Sequence, residues 1–277
     1  MKAYLFAFIA VLSMAGCSRA KVEIVSYPIM GTVATLQARD AKDLPFLENS
    51  SKDVFRQVAK LLNRFDPQSE INKLSALANE EVERRADPLV RDCYKAAFLV
   101  ERLSGGAFSP RWRGTNTLDL GAIAKGYALD LAKEDYLAKN VSSKDALLDL
   151  GGNLISCAGV WRAGVKSPAG DGFSSIVELS SGEALATSAF YYRGGHIVDG
   201  RTGCVVSNSV ASVTVLAKSA MWADALSTVL FVLGPDEGKE FLSKVLLHIP
   251  ESSSPTAVLW EMNGGKKIFA LSQERFL

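Results

Sequence analysis

Between Met221 and Leu233 the chain reads M-W-A-D-A-L-S-T-V-L-F-V-L. Almost every residue in this run suits a core helix, and Asp224 does not. A buried carboxylate is costly unless a positive or hydrogen-bonding group meets it. Thr228 follows one turn later on the same helical face. Together Asp224 and Thr228 offer two oxygen ligands to a hard cation, which would make this stretch a site as well as a core. The alternative is a helix whose Asp224 faces water beside a domain edge.

The 277 residues allow one large domain or two small ones with ample core. Lys plus Arg number 31 against 30 Asp plus Glu. That balance gives no basic footprint for nucleic acid and no acidic solvating tail. At the N-terminus Lys2 precedes an apolar stretch, Tyr4 to Leu12, too short to span a bilayer. Ser13-Met14-Ala15-Gly16 then leads into Cys17. The order of charge, apolar run, small residues and cysteine resembles a bacterial lipoprotein signal, the alternative being a plain secretory signal. On the first reading residues 1–16 are the signal, 17–28 a tether running into a strand, and 29–277 the folded domain. Cys17 would carry the lipid and hold a soluble body on a membrane. The expected location is the bacterial cell envelope, facing the periplasm or the exterior. Cys93, Cys157 and Cys204 fit no compact zinc or redox spacing; one disulfide among them is open, and Cys93 suits a core thiol.

Ile29 to Ala38 alternates as a strand. Val54, Phe55, Val58, Leu61, Leu62 and Phe65 recur at helical spacing, predicting a helix from about Lys52 to Arg64 that Asp66-Pro67 ends. Asp87-Pro88 caps the next helix and Gly105-Gly106 stops it. Asp119-Leu120-Gly121 enters a further helix. Strands are expected at Ala146–Leu150, Trp161–Val165, Ser175–Leu179 and, most strongly, Val210–Ala217. After the apolar helix, closed by Gly234-Pro235, come a second helix near Glu237–Leu246 and a terminal hairpin, Ala257–Met262 with Lys267–Leu271. No regular β-α-β period is present, so the expected class is an α+β domain of mixed sheets with packed helices, not a doubly wound sheet.

Three glycine-bearing runs can carry chemistry. D-L-G-A-I-A-K-G-Y from Asp119 joins a bend, a helix start and Lys125; such a start can receive phosphate oxygens, or it can be a tightly packed helix entry. It is neither a P-loop nor a dinucleotide fingerprint. Leu148 to Asn153, with Asp149, puts two glycines at a strand end, beside a ligand or a neighbouring strand. His196 to Gly203 holds one of two histidines in a polar loop suited to a general base. His248, near a helix end, reads as structural.

These runs, with Met30-Gly31-Thr32, Phe65-Asp66-Pro67, Ser69 to Leu74, Trp161 to Val165 with Pro168, Ala186-Thr187-Ser188 and Ala223 to Thr228, occur in one order. In that order the chain resembles the ApbE-type FAD:protein FMN transferases, from Met30 to Gly234. The resemblance implies an extracytoplasmic, often lipid-anchored enzyme. It would transfer FMN from FAD to a Thr or Ser hydroxyl of a target protein, such as an electron-transport subunit, releasing AMP. It further implies a magnesium ion held by Asp224, Thr228 and the Ala124 carbonyl. Met30, Glu70, Asp119, Lys125, Asp149, Ala186, Thr187 and Ser188 would then surround FAD. Lys125 would offset phosphate charge, His196 would accept the hydroxyl proton, and Asp199 would orient His196, assist the metal or close its turn. Two other outcomes stay open: a member that binds FAD or hydrolyses it to FMN and AMP without a protein acceptor, and a non-catalytic envelope scaffold. The chain departs from the family in a shortened segment before Asp119, in Ala189-Phe190 where glycine-aspartate is usual, and in Gly200 where proline is common. Phe190, Tyr191 or Tyr192 would be either a replacement stacking surface or a packed aromatic cluster.

Overall fold

The computed structural model describes residues 21–111, 115–139, 145–190 and 195–277. The signal, Cys17, Tyr191 and Tyr192 lie outside these residues. Among the described residues the strands are β1 (Glu23–Ile29), β2 (Thr32–Ala38), β3 (Ala146–Leu150), β4 (Asn153–Ala158), β5 (Trp161–Lys166), β6 (Phe173–Leu179), β7 (Ala184–Ala189), β8 (Val210–Ala217), β9 (Pro255–Met262) and β10 (Lys267–Leu271). Six helices accompany them: α1 (Leu44–Leu62), α2 (Glu70–Leu74), α3 (Asn79–Arg85), α4 (Pro88–Leu103), α5 (Ala124–Lys139) and α6 (Ala220–Val245). Eight strands form one sheet in the order β1-β2-β3-β4-β7-β8-β9-β10, and β5 pairs with β6 apart from it. Every pairing is antiparallel. The α+β expectation holds, and among the described residues the strands pair only antiparallel, unlike a doubly wound sheet.

The molecule has three layers. On one face of the large sheet α1 and α5 cover β2 to β4 through Phe55, Val58, Leu129, Tyr136, Leu148 and Ile155. Beside them α4 and α6 cover the strands beyond, with Val100, Leu226, Leu230, Val213 and Trp260 in their core. On the other face the β5–β6 hairpin packs Trp161, Val165 and Val177 against Leu147, Leu154, Leu185 and Leu216. The central strands are therefore buried on both sides.

Several boundaries differ from the sequence expectation. The sheet begins at Glu23, inside the expected tether, and residues 29–38 are not one strand. Met30 and Gly31 turn the chain between β1 and β2 with φ of 50° and 69°, a left-handed pair that suits a tight hairpin. Helix α1 starts at Leu44, with Pro45 in its first turn where a missing N–H costs nothing. The two helices expected after Met221 form one element broken at Gly234, whose φ of 71° leaves the helical region before Pro235. Asp87 caps α4 by accepting from the Leu89 N–H, as expected.

Helices α5 and α6 cross in close contact. A Cβ on Gly126 would lie 2.0 Å from the Ala220 carbonyl oxygen and 2.8 Å from the Asp224 Cβ. Only glycine lets the helices cross this closely. Gly126→Ala should push them apart and lower the unfolding free energy by on the order of 2–3 kcal/mol in urea titration; an unchanged midpoint would show that the crossing is looser than described.

Candidate active site

Asp224 does not face water. Its residue is 5% exposed, and Oδ2 accepts from the Gly126 backbone N–H at 3.0 Å. That N–H belongs to the first turn of α5, where no carbonyl of the helix itself is available. Asp224 thus caps α5 from a neighbouring helix and meets the positive end of its dipole. The Lys125 Nζ stands 3.7 Å from the same oxygen, its side chain 28% exposed. The reverse contact also exists. Asp130 on α5 accepts from the Ser219 hydroxyl and from the Ala220 and Met221 N–H groups at 2.6–2.9 Å, capping α6.

Hydroxyls gather on the next turn of α6, beyond Asp224. Ser188 on β7 lies 2.9 Å from the Ser227 hydroxyl and 3.2 Å from that of Thr228. Ser227 and Thr228 also donate to the Asp224 carbonyl, at 2.9 and 3.4 Å. Lys125 stands beside the Asp224 carboxylate, Ala124 precedes Lys125 at the start of α5, and Thr228 meets Ser188 one turn further along α6. Ser227 was not singled out from sequence; it turns into the same cluster because it precedes Thr228 and reaches β7.

The remaining candidates divide between the sheet faces. Ala186 and Ser188 point to the helices, whereas Thr187 pairs with Thr214 at 2.9 Å on the hairpin side. Asp149 also lies on that side, sharing it with Leu147 on β3. Yet all sit at one end of the sheet, where the Met30-Gly31 turn, the Gly151-Gly152 turn and the end of β7 meet. A ligand at that end reaches both faces.

Asp119 leads into α5. Its carboxylate pairs with Arg64 at 3.0 Å and accepts from the Gly121 N–H at 2.9 Å. Glu70 accepts from the Asp87 N–H at 2.5 Å, tying α2 to the start of α4. These two carboxylates fasten the segments bordering α5 rather than entering the hydroxyl cluster.

His196 is exposed, and its ring meets Phe190 edge-on at 6.0 Å. Phe190 packs in turn on Phe231 at 4.9 Å, so it forms an aromatic cluster between β7 and the histidine. Asp199 is engaged by Arg201, whose guanidinium and backbone N–H approach both carboxylate oxygens at 2.8–3.1 Å. Burial raises the Asp199 carboxyl, but these bonds outweigh it and hold the group below its ordinary value. Its carbonyl also accepts from Thr202 and Gly203, the turn-closing arrangement. Gly200 donates to the Ala107 carbonyl, and a Cβ there would lie 2.3 Å from the Gly106 oxygen. That contact accounts for glycine at a position where bulk cannot fit. Cys93, Cys157 and Cys204 are all free thiols, and His248 Nδ1 sits 2.9 Å from the Lys244 carbonyl at the end of α6.

Solved structures share this architecture. A Thermotoga maritima ApbE protein superposes with a TM-score of 0.74 at 23% identity, covering 92% of this chain and 98% of the other. The flavin transferase ApbE from Vibrio cholerae gives 0.73 at 23%, covering 94% and 100%. The ApbE family model matches residues 30–114 and 111–249. The chain belongs to the ApbE family. An FAD:protein FMN transferase of Klebsiella pneumoniae is 39% identical over 130 residues, 44% of this chain and 40% of that protein. A Treponema pallidum protein of the same name is 36% identical over 139 residues, 42% and 38% respectively. The matched stretch thus spans about two fifths of these relatives.

Burial pushes the Asp149 carboxyl up to about 7, only partly offset by the Gly152 N–H that donates to it at 2.8 Å. The unfolded carboxyl releases its proton near pH 4. The folded state therefore holds the extra proton between about pH 4 and 7, and stability falls as pH rises through that window. Asp149→Asn should be more stable than the wild type at pH 8, by up to about 4 kcal/mol for a pKa moved from near 4 to about 7, with the difference closing toward pH 4. A variant less stable at pH 8 would count against a carboxyl whose pKa is raised by its surroundings.

Proposed function

We propose that the chain transfers FMN from FAD to a Thr or Ser hydroxyl of a target protein, with AMP as the leaving group. The observation that carries this reading is the buried Asp224 carboxylate at the start of α5 with Lys125 beside it, one helical turn from the Ser227 and Thr228 hydroxyls that meet Ser188. Its donors are all hard oxygens. Among the described residues no group of three or more His, Cys, Asp or Glu gathers as a metal cluster. One carboxylate with hydroxyls suits magnesium, which takes its other ligands from water and phosphate. Asp224, Thr228 and the Ala124 carbonyl would hold it, and when bound it would offset charge on the diphosphate as the bridging bond breaks.

The chain's own groups supply the rest. The acceptor oxygen attacks the FMN phosphorus, the bond from that phosphorus to the oxygen of AMP breaks, and AMP departs with the bonding pair. Lys125 is exposed enough to turn from Asp224 toward a phosphate oxygen. His196 accepts the hydroxyl proton, its exposure leaving it open to an incoming protein segment. Phe190 holds the histidine ring from behind. Asp199 keeps the loop closed through Arg201. Attachment through Cys17 would place this chemistry at an envelope membrane, in reach of electron-transport subunits; among the described residues no helix is long and apolar enough to cross one.

The test is mass spectrometry of a threonine-bearing acceptor incubated with FAD, Mg²⁺ and the protein. The acceptor should gain the mass of FMN. Free FMN and AMP with an unmodified acceptor would indicate hydrolysis, and unchanged FAD would indicate a scaffold. Asp224→Asn keeps an oxygen for the Gly126 N–H but loses the charge. It should retain the melting temperature within a few degrees and lose transfer by roughly a hundredfold or more. Full activity in that variant would remove Asp224 from the site.

A further inference from the structure

Asn153 opens β4 directly after the Gly151-Gly152 turn, and it is 5% exposed. Its Nδ2 has no hydrogen-bond partner. Buried amide donors are nearly always paired, and one left alone is expensive. Three of the four such atoms among the described residues belong to groups elsewhere; this one lies at the sheet end that carries the site.

Its direction follows from strand alternation. Ile155 and Cys157 belong to the core beneath α1 and α5, while Leu154 belongs to the hairpin side. Asn153 therefore shares the helix-facing side with Ile155. Its height follows from register. Leu154 pairs with Leu185 and Ile155 with Ala184, so one step further Asn153 falls beside Ala186. Ala184 shares a core with Ala220, and Ser188 bonds to Thr228. Strand and helix rise by about 3.3 and 1.5 Å per residue, which sets Ala186 level with Asp224. The unpaired amide thus lies under the α5–α6 clasp at the level of the carboxylate.

We propose that the Asn153 side chain is a ligand-binding group of this site, its Nδ2 donating a hydrogen bond to an anionic oxygen of the nucleotide diphosphate. The inference rests on the FAD-using reading above. It explains an orphaned donor that stability alone would not keep, because the ligand supplies the missing acceptor. A donor to a charged oxygen contributes more than one between neutral groups.

The test compares Asn153→Leu, which matches the side chain in shape, with the wild type and Asp224→Ala. FAD affinity is read from flavin fluorescence with Mg²⁺ present, and stability from ligand-free melting. Asn153→Leu should raise the Kd roughly ten- to a hundredfold, with a melting temperature equal to or above that of the wild type. A Kd within twofold of the wild type overturns the proposal, whether or not the melting temperature falls. Asn153→Ala supplies the same comparison if the leucine variant fails to fold. FAD binding by the wild type that weakens in Asp224→Ala but not in the Asn153 variants overturns this inference alone. No FAD binding by the wild type overturns both it and the parent reading.

Discussion

Two carboxylates, each capping the other's helix, hold this molecule's working end together. Asp224 of α6 accepts from the first turn of α5, and Asp130 of α5 accepts from the first turn of α6. Both helix ends would otherwise leave N–H groups without acceptors in a dry interior. The clasp requires a close crossing, and Gly126 against Ala220 provides it. From that crossing everything else follows: Lys125 is fixed beside Asp224, Thr228 is brought over Ser188, and the Ala124 end of α5 is presented at the end of the sheet. A carboxylate engaged by a backbone N–H and a lysine is stable without a ligand.

The sheet separates two environments that a ligand at its end could join. The helix side carries the hydroxyls, Asp224 and Asn153. The hairpin side carries Thr187 and Asp149, whose carboxyl burial drives toward the neutral form. A negatively charged diphosphate suits the first side, with its lysine and helix start. A neutral, hydrogen-bonding carboxyl on the second is compatible with an uncharged ring or sugar. The motif residues lie far apart in sequence because they come from different strands, turns and the two clasped helices.

Much of the fold was legible where pattern and burial agree. β3 was readable as a short apolar run, β8 from its branched residues, and α4 from its Asp87-Pro88 start. The strands β4 and β7 were not, since N-L-I-S-C-A and A-L-A-T-S-A are small, mixed and buried on both faces. With no solvent side, such central strands show no alternation. Pro28 hid β1, an edge strand where proline is tolerated. At the site, the i to i+4 pair Asp224 and Thr228 stood out because helical spacing is local. The partners that define its role are not local: Gly126 lies 98 residues from Asp224, and Asp130 lies 90 from Ala220. Likewise the opposite directions of Thr187 and Ser188 become visible only once β7 is known to be a strand.

The claim at the centre of this account is that the capping carboxylate and the metal-binding carboxylate are the same group. Anomalous diffraction from crystals grown with FAD and Mn²⁺ in place of Mg²⁺ tests it directly. The account predicts an anomalous peak within coordination distance of the Asp224 carboxylate and the Thr228 hydroxyl, touching the diphosphate, with the Gly126 N–H bond intact. A nucleotide and metal bound elsewhere, with Asp224 still held only by Gly126 and Lys125, would reduce Asp224 to a structural cap and contradict it.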